Sequence, residues 1–469
     1  MTCVLAIDQG TSGTKAVVVR DGAVLAIAEV AVRPAYLPGG AVEQDPVALF
    51  DSVLDAGRRA VAEAGVAVDV VTLANQGESV LAWDEGSGEP LTPVVVWQDS
   101  RAQEVCDELR EHSDAVAART GLVLDPYFSA PKQAWLRRHL TRDGVVTTTD
   151  AWLLHRLTGA FVTDVTTASR SLVTDLATGD WDAEMLALFG LDGELLPRVV
   201  ACDEVVGTTT AFGAEAPVGG LVVDQQAALL AQRCLAPGEA KCTFGTGAFL
   251  LVNAGEQPRR SSAGLTTSVA WRVRGETTYC VDGQVYAAAS AVRWLQDLGL
   301  VGSAAELDTV AADDAGGVLA VPALAGLAAP WWRADATGSF RGLTLATGRG
   351  ELVLAVLQGI AAQVAELAGA VAADSGTPPA RLRVDGGLTQ SRVLLQAVAD
   401  LLQVEVDVYP SQHATPLGAA ALARTALDPG LGLADAVVPW EPSSVVVPRW
   451  SADRAADFRA RWSAAAAVA

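Results

Sequence analysis

One arrangement dominates what this sequence can become: a strand, a glycine- and threonine-rich tip and a returning strand, present once in each half of the chain. In the first half, residues 4–7 run into Asp8-Gln9-Gly10-Thr11-Ser12-Gly13-Thr14-Lys15 and return along 16–20. In the second, residues 240–244 run into Gly245-Thr246-Gly247 and return along 249–253. A hairpin tip of this kind offers backbone N–H groups and hydroxyls to phosphate oxygens, and its glycines permit close approach. A carboxylate at the strand end, here Asp8, can hold a hydrated Mg²⁺. Taken alone, the first tip reads equally as an ordinary turn, because Gly, Ser and Thr favour turns for their own reasons. The second tip shifts that balance, since two such tips facing each other would grip a nucleoside triphosphate between lobes. No G-x-x-x-x-G-K-[ST] occurs, so neither tip is a Walker loop.

Around the tips, strands and helices alternate. Runs at 4–7, 16–20 and 24–28 form a meander of two hairpins. Asp45 as N-cap and Pro46 at the first helical position begin a helix in which Phe50, Val53, Leu54, Gly57 and Val61 recur at helical spacing up to Gly65. Apolar runs at 70–74, 80–83 and 94–96 add strands to a mixed sheet. The second half repeats this grammar: residues 221–223 lead into Asp224 and a helix to 233. A long apolar-periodic helix at 352–373 precedes a strand at 382–384, closed by Asp385-Gly386-Gly387, and a helix at 391–402. Two related α/β halves are the economical interpretation. Residues 1–233 form an N-terminal domain, 234–426 a C-terminal domain, and 427–469 a tail with a terminal helix at 452–467.

Composition narrows the partners. With 33 Lys and Arg against 55 Asp and Glu, the net charge is −22, a field that repels polyanions and argues against binding to nucleic acid or an acidic membrane surface. Any phosphate must therefore be met by local donors. The six cysteines include no C-x-x-C, so a disulfide framework or zinc ribbon is not expected. His112, His139, His155 and His413 lie far apart without metal-ligand spacing and read as surface or core residues. The N-terminus lacks a basic leader region, and no unbroken apolar run reaches the roughly 18 residues of a membrane span. The expectation is a soluble, cytoplasmic protein.

A colinear set of strings then identifies a family. DQGTSGTKAVV from Asp8, ANQGES from Ala74, VVWQDSRA from Val95, GLVLDPYFSAPK from Gly121, TDAWLLHRLTG from Thr149, VVDQQAALLAQ from Val222, FGTGAFLLVNAGE from Phe244, GSFRGLTLATGRGELVLAVLQ from Gly338 and RVDGGLTQS from Arg383 together resemble the FGGY carbohydrate kinases, most of all those acting on glycerol. The resemblance implies a two-lobed α/β fold of the actin/hexokinase-like (ribonuclease H-like) kind, with ATP and acceptor meeting in the interlobe cleft. It implies ATP- and Mg²⁺-dependent phosphorylation of a terminal hydroxyl of glycerol or a similar small polyol. It gives Asp224 the role of catalytic base and places Asp8 and Asp224 near Mg²⁺. Thr11, Ser12, Gly13 and Lys15 then match the first phosphate tip, Thr246 the second, and Gly386 and Gly387 an adenosine-side turn bordered by Ala289, Arg293 and Ser391. Glu78, Trp97, Tyr127, Asp224, Gln225 and Phe249 match the acceptor pocket. Members of this family are often dimers or tetramers, which implies a homo-oligomer.

Each of these residues also has a plainer reading. Asp224 can be a helix N-cap after a strand, and Trp97, Tyr127 and Phe249 taken singly can be core. Aspartate is a weak base, but phosphoryl transfer asks chiefly for alignment and late proton removal. Departures from the family pattern bear on the acceptor. The family's N-Q-R-E reads Asn75-Gln76-Gly77-Glu78, so a forked donor is missing and Gly77 should leave room in the pocket. Arg101, in the WQDSR string, is the nearby candidate to fill the gap. Glu78 stands where pentulose kinases tend to carry His, which favours a small polyol. The alternatives are an FGGY kinase acting on a pentulose, pentitol or other sugar, or a non-enzymatic actin-like ATP switch, which would have no use for the acceptor-side aromatics. Ala289, Arg293 and Ser391 stand where Gly, Gln and Asn are usual. Residues 208–217, TTTAFGAEAP, lack the basic loop that binds fructose 1,6-bisphosphate in some relatives.

Overall fold

Both halves of the chain build a seven-stranded sheet on one plan, as shown by a computed structural model that describes residues 2–469. In the first sheet the central strand Cys3–Gly10 pairs antiparallel with Gly13–Arg20, its hairpin partner, and parallel with Val70–Asn75. Ala23–Ala31 extends one edge; Ala216–Gly219 and Val205–Thr209 extend the other, and Val222–Val223 adds to Val70–Asn75. Residues 3–7 are buried throughout, as a strand covered on both faces requires. One cover is the helix Pro46–Ala64. Asp45 accepts the Val47 N–H at 2.9 Å to start it, and left-handed Gly65 ends it, as the sequence predicts.

The second sheet repeats the plan. Ala240–Phe244 pairs antiparallel with Ala248–Gly255 and parallel with Arg381–Asp385. Glu276–Val285 and Thr266–Val273 lie on the hairpin side, Glu405–Val408 and Ser444–Val446 on the other. The helix Arg349–Ser375 fills the core behind it. By length and composition this helix is apolar enough to cross a membrane, which amends the expectation, because Gln358 and Gln363 break the apolar run without making the helix polar. Its most apolar window is 83 % buried inside the protein, so that hydrophobicity is already satisfied.

Two elements sit elsewhere than the sequence division suggests. The terminal segment packs into the second lobe: Phe458, Trp462, Ala465 and Ala466 of the helix Ala452–Ala466 join the second core, and Trp462 donates its indole N–H to the Ala320 carbonyl at 2.8 Å. The helix Ala414–Leu427 packs on the first sheet, with Ala420 and Ala423 against Val4, Ala6, Val17 and Val19. It also crosses Asp224–Ala231 so closely that a Cβ on Gly418 would stand 1.9 Å from the Ala227 carbonyl oxygen. Only glycine permits that approach. The crossing forms a joint between the lobes, and Asp224 sits at the head of one of its helices.

Candidate active site

The plan of each sheet brings its hairpin tip to the cleft. Gly13 and Gly247 are required there by close packing: a Cβ on either would lie 2.4 Å from a carbonyl oxygen of a neighbouring strand, Val30 or Val285. Between the tips lies a cavity of about 180 Å³ lined from both lobes. Thr11 and Ser12 of the first tip and Thr246 of the second reach it, together with Gly77, Glu78, Trp97, Tyr127, Asp224, Gln225 and Phe249. Ten residues expected at the site from sequence therefore share one cavity.

Three aromatic rings make one wall. Trp97 meets Tyr127 and Phe249 edge to face, with centroids 5.5 and 5.9 Å apart. Its indole N–H donates to the Thr11 hydroxyl at 2.8 Å, tying this wall to the first tip. Tyr127 is held by Lys132, wholly buried, whose ammonium donates to the carbonyls of Pro126, Tyr127 and Phe128 at 2.9, 2.5 and 2.7 Å. Burial and the nearby Glu78 charge push the Tyr127 phenol far above its ordinary range, keeping it a neutral donor.

The polar wall carries the main surprise. Glu78, in the left-handed region at φ 62°, pairs with the Nε of Arg170, a residue that sequence reasoning missed. The same guanidinium reaches Asp282 at 3.0 Å and, at the limit of hydrogen bonding, the Tyr127 hydroxyl at 3.5 Å. All four side chains are buried, and one cation between two carboxylates is retained only because each is paired. Burial disfavours the charge of Arg170, but Asp282 and Glu78 outweigh it and raise its pKa well above the ordinary value. Gly77 therefore leaves no vacancy: its Cβ position is 3.0 Å from Val223 Cγ2 and 3.8 Å from Arg170 Cδ. Arg101 does not fill the role. It is bound to Asp99 and, at 2.8 Å, to Glu43, and stacks over Trp135 outside the cavity. Sequence adjacency to Trp97 suggested it, whereas Arg170, deep in TTASRS, carried no local signal beyond being a lone cation in a run of small residues.

Asp224 begins the helix Asp224–Ala231 without capping it; the N-cap position is Val223, so the plain N-cap reading fails. Burial, and then the charge of Glu78, push the Asp224 carboxyl up to about 6, with Lys241 opposing. Asp8, at the end of its strand, is pushed up to about 7 by burial and by Asp224, with Lys15 opposing. Two buried carboxyls whose charge is disfavoured, Asp8 in part by Asp224, suit a cation beside them. No group of three or more His, Cys, Asp or Glu side chains that could hold a metal exists among the described residues. A Mg²⁺ here would complete its shell with phosphate and water, which is its usual preference.

The nucleotide side is barer. Lys15 pairs with Glu29 at 3.2 Å beside the first tip. Gly386, at φ 95°, is pressed against the Phe244 carbonyl where a Cβ would stand 2.4 Å away, while Gly387 faces open space. Ala289 starts the helix Ala289–Asp297 and donates its N–H to the Gly245 carbonyl, joining that helix to the second tip; Arg293, one turn on, is exposed and in no ion pair among the described residues. Ser391 departs from expectation: it is buried, its hydroxyl donates to Asp308 at 2.7 Å and accepts from Leu394 N–H as the cap of Arg392–Leu402. That hydroxyl thus has a structural task, tying the start of the helix to Asp308.

With this geometry in view, comparison with known proteins is direct. Residues 3–231 match the N-terminal domain of the FGGY family of carbohydrate kinases and residues 240–427 its C-terminal domain. A glycerol kinase of Aromatoleum aromaticum is 41 % identical, covering 98 % of this chain and 97 % of its own, and one of Thermus brockianus is 42 % identical over 96 % and 94 %. Among solved structures, Plasmodium falciparum glycerol kinase with ADP superposes with a TM-score of 0.89 at 29 % identity, covering 99 % of this chain and 97 % of that one.

Proposed function

This chain belongs to the FGGY family of carbohydrate kinases and is a phosphotransferase, and we propose that its reaction is transfer of the terminal phosphoryl group of ATP to a terminal hydroxyl of glycerol. The observation that carries the acceptor assignment is the Arg170–Glu78 pair inside the three-ring cavity. A small polyol presents hydroxyls on one side and C–H groups on the other. Glu78 and Arg170 take its hydroxyls, while the rings of Trp97, Tyr127 and Phe249 cover its C–H face. The guanidinium that Gly77 lacks is thus supplied from residue 170, beside the three rings.

The reacting hydroxyl faces Asp224. The transition state is loose, so Asp224 chiefly aligns the nucleophile and takes its proton late. The hydroxyls and backbone N–H groups of the two tips, at Thr11, Ser12 and Thr246, meet the phosphates, in keeping with a protein that has no basic surface for them. Asp8 and Asp224 would hold Mg²⁺, which would supply neutralisation of phosphate charge during transfer. The adenosine rests against Gly387 and the helix Ala289–Asp297.

ADP release with Mg·ATP, compared across glycerol, tetritols, pentitols and ketopentoses, tests this reading. Turnover should be fastest with glycerol. Turnover confined to a ketopentose would transfer the assignment to a sugar kinase.

A further inference from the structure

Among the described residues, Lys241 is the one wholly buried cation beside the cavity that phosphoryl transfer, as described, leaves without a task. It lies on Ala240–Phe244, the strand leading to the second tip, and is completely shielded from solvent. An ammonium placed there without a direct ion pair is costly, and none of its carboxylate neighbours among the described residues lies within 4 Å. Its hydrogen bonds go instead to two neutral groups: the Gln225 Oε1 at 2.6 Å and the Thr243 hydroxyl at 2.8 Å. Thr243 in turn donates to Asp385 at 2.5 Å.

The chemistry of the donor settles the orientation of Gln225. An ammonium can only donate, so the amide must present its oxygen to Lys241 and its NH₂ to the opposite side. That side holds Asp224, whose charged form the Gln225 amide favours, and the cavity that Gln225 lines. Lys241 itself does not reach the cavity. We propose that Lys241 is a positioning residue, fixing the Gln225 amide oxygen inward so that Gln225 is a hydrogen-bond donor to the acceptor's hydroxyls. This deepens the proposed phosphoryl transfer and rests on it.

Two variants test it. Gln225→Glu keeps an oxygen for Lys241, now as an ion pair, but has no NH₂ to offer. It should melt no lower than the parent protein yet bind glycerol about tenfold more weakly, as loss of one hydrogen bond implies, with the KM for ATP within twofold. Lys241→Met should also weaken glycerol binding about tenfold, and in a Gln225→Ala background should add less than twofold, because the two residues act as a unit. Glycerol affinity is read by calorimetric titration and turnover by ADP release. An unchanged glycerol affinity in Gln225→Glu, or equal losses for glycerol and ATP in Lys241→Met, overturns the role of Lys241. A parent protein that binds glycerol without phosphorylating it overturns the phosphoryl-transfer reading instead, and the affinity comparison still decides about Lys241. One that binds no glycerol overturns both.

Discussion

The two ends of the cleft are made of different materials. At the acceptor end, side chains are buried and already paired with one another: Arg170 with Glu78 and Asp282, Trp97 with Thr11, Lys132 beneath Tyr127. At the nucleotide end the surface is glycine, backbone and exposed side chains such as Thr246 and Arg293. A triphosphate brings its own charge and can be held by N–H groups that any residue supplies. A small neutral polyol brings only hydroxyls, and is selected only by donors and acceptors whose directions are fixed beforehand. Discrimination therefore resides in the paired end. An end built of mutual pairs should fail abruptly when one member is lost, while an end built of backbone should tolerate side-chain change.

The sharpest break is at the junction of the two ends. Asp224→Asn removes the proposed proton acceptor without changing shape and should lower kcat about 10³-fold, with nucleotide affinity nearly intact, as measured by ADP release and nucleotide titration. Arg170→Met leaves two buried carboxylates unpaired. It should cost about 3–5 kcal/mol of stability in denaturant melts, and kcat/KM for glycerol should fall about a hundredfold from loss of charged hydrogen bonds. Gly77→Arg, which from sequence alone would be expected to restore a glycerol site, instead drives a side chain into Val223 and Arg170. Overpacking of that kind should lower kcat/KM about tenfold, and a gain in activity would show that the cavity can hold two guanidiniums.

Acidity probes the same end more gently. In its proposed role Asp224 must be ionised, and burial pushes its carboxyl up to about 6. As pH falls through that value the protonated, inactive form takes over, so kcat/KM should drop about fivefold between pH 6 and pH 5 and level off above pH 7. A limb near 4 would mean that the carboxylate is better solvated than its burial implies. The smallest effect belongs to the nucleotide end: Ser391→Ala should lower stability by about 1 kcal/mol through loss of a helix cap and leave the KM for ATP unchanged. A raised KM would return Ser391 to the nucleotide site.

What could be read from the sequence was local. The tip residues, the capped helix Pro46–Ala64 and the strands at 4–7 and 240–244 are fixed by neighbours a few positions away, and they stand where periodicity and capping place them. Trp97, Tyr127 and Phe249 were legible only as members of matched strings. The Arg170 contacts span 92 positions to Glu78 and 112 to Asp282, and nothing in TTASRS marks the arginine as buried. Arg101 was misjudged because nearness along the chain says little about where a long side chain points. The packing of Ala414–Leu427 on the first sheet was hidden for a similar reason, since an alanine-rich helix carries no record of which lobe it covers.

The guanidinium of Arg170 stands between Glu78, from the first half of the chain, and Asp282, on a strand of the second sheet. One buried cation thus rivets the two halves together at the floor of the cleft. Any movement that drew Glu78 and Asp282 apart would strip a buried charge of its partner, which is costly. Opening of the cleft should therefore pivot about this point, with the wider excursion at the two hairpin tips.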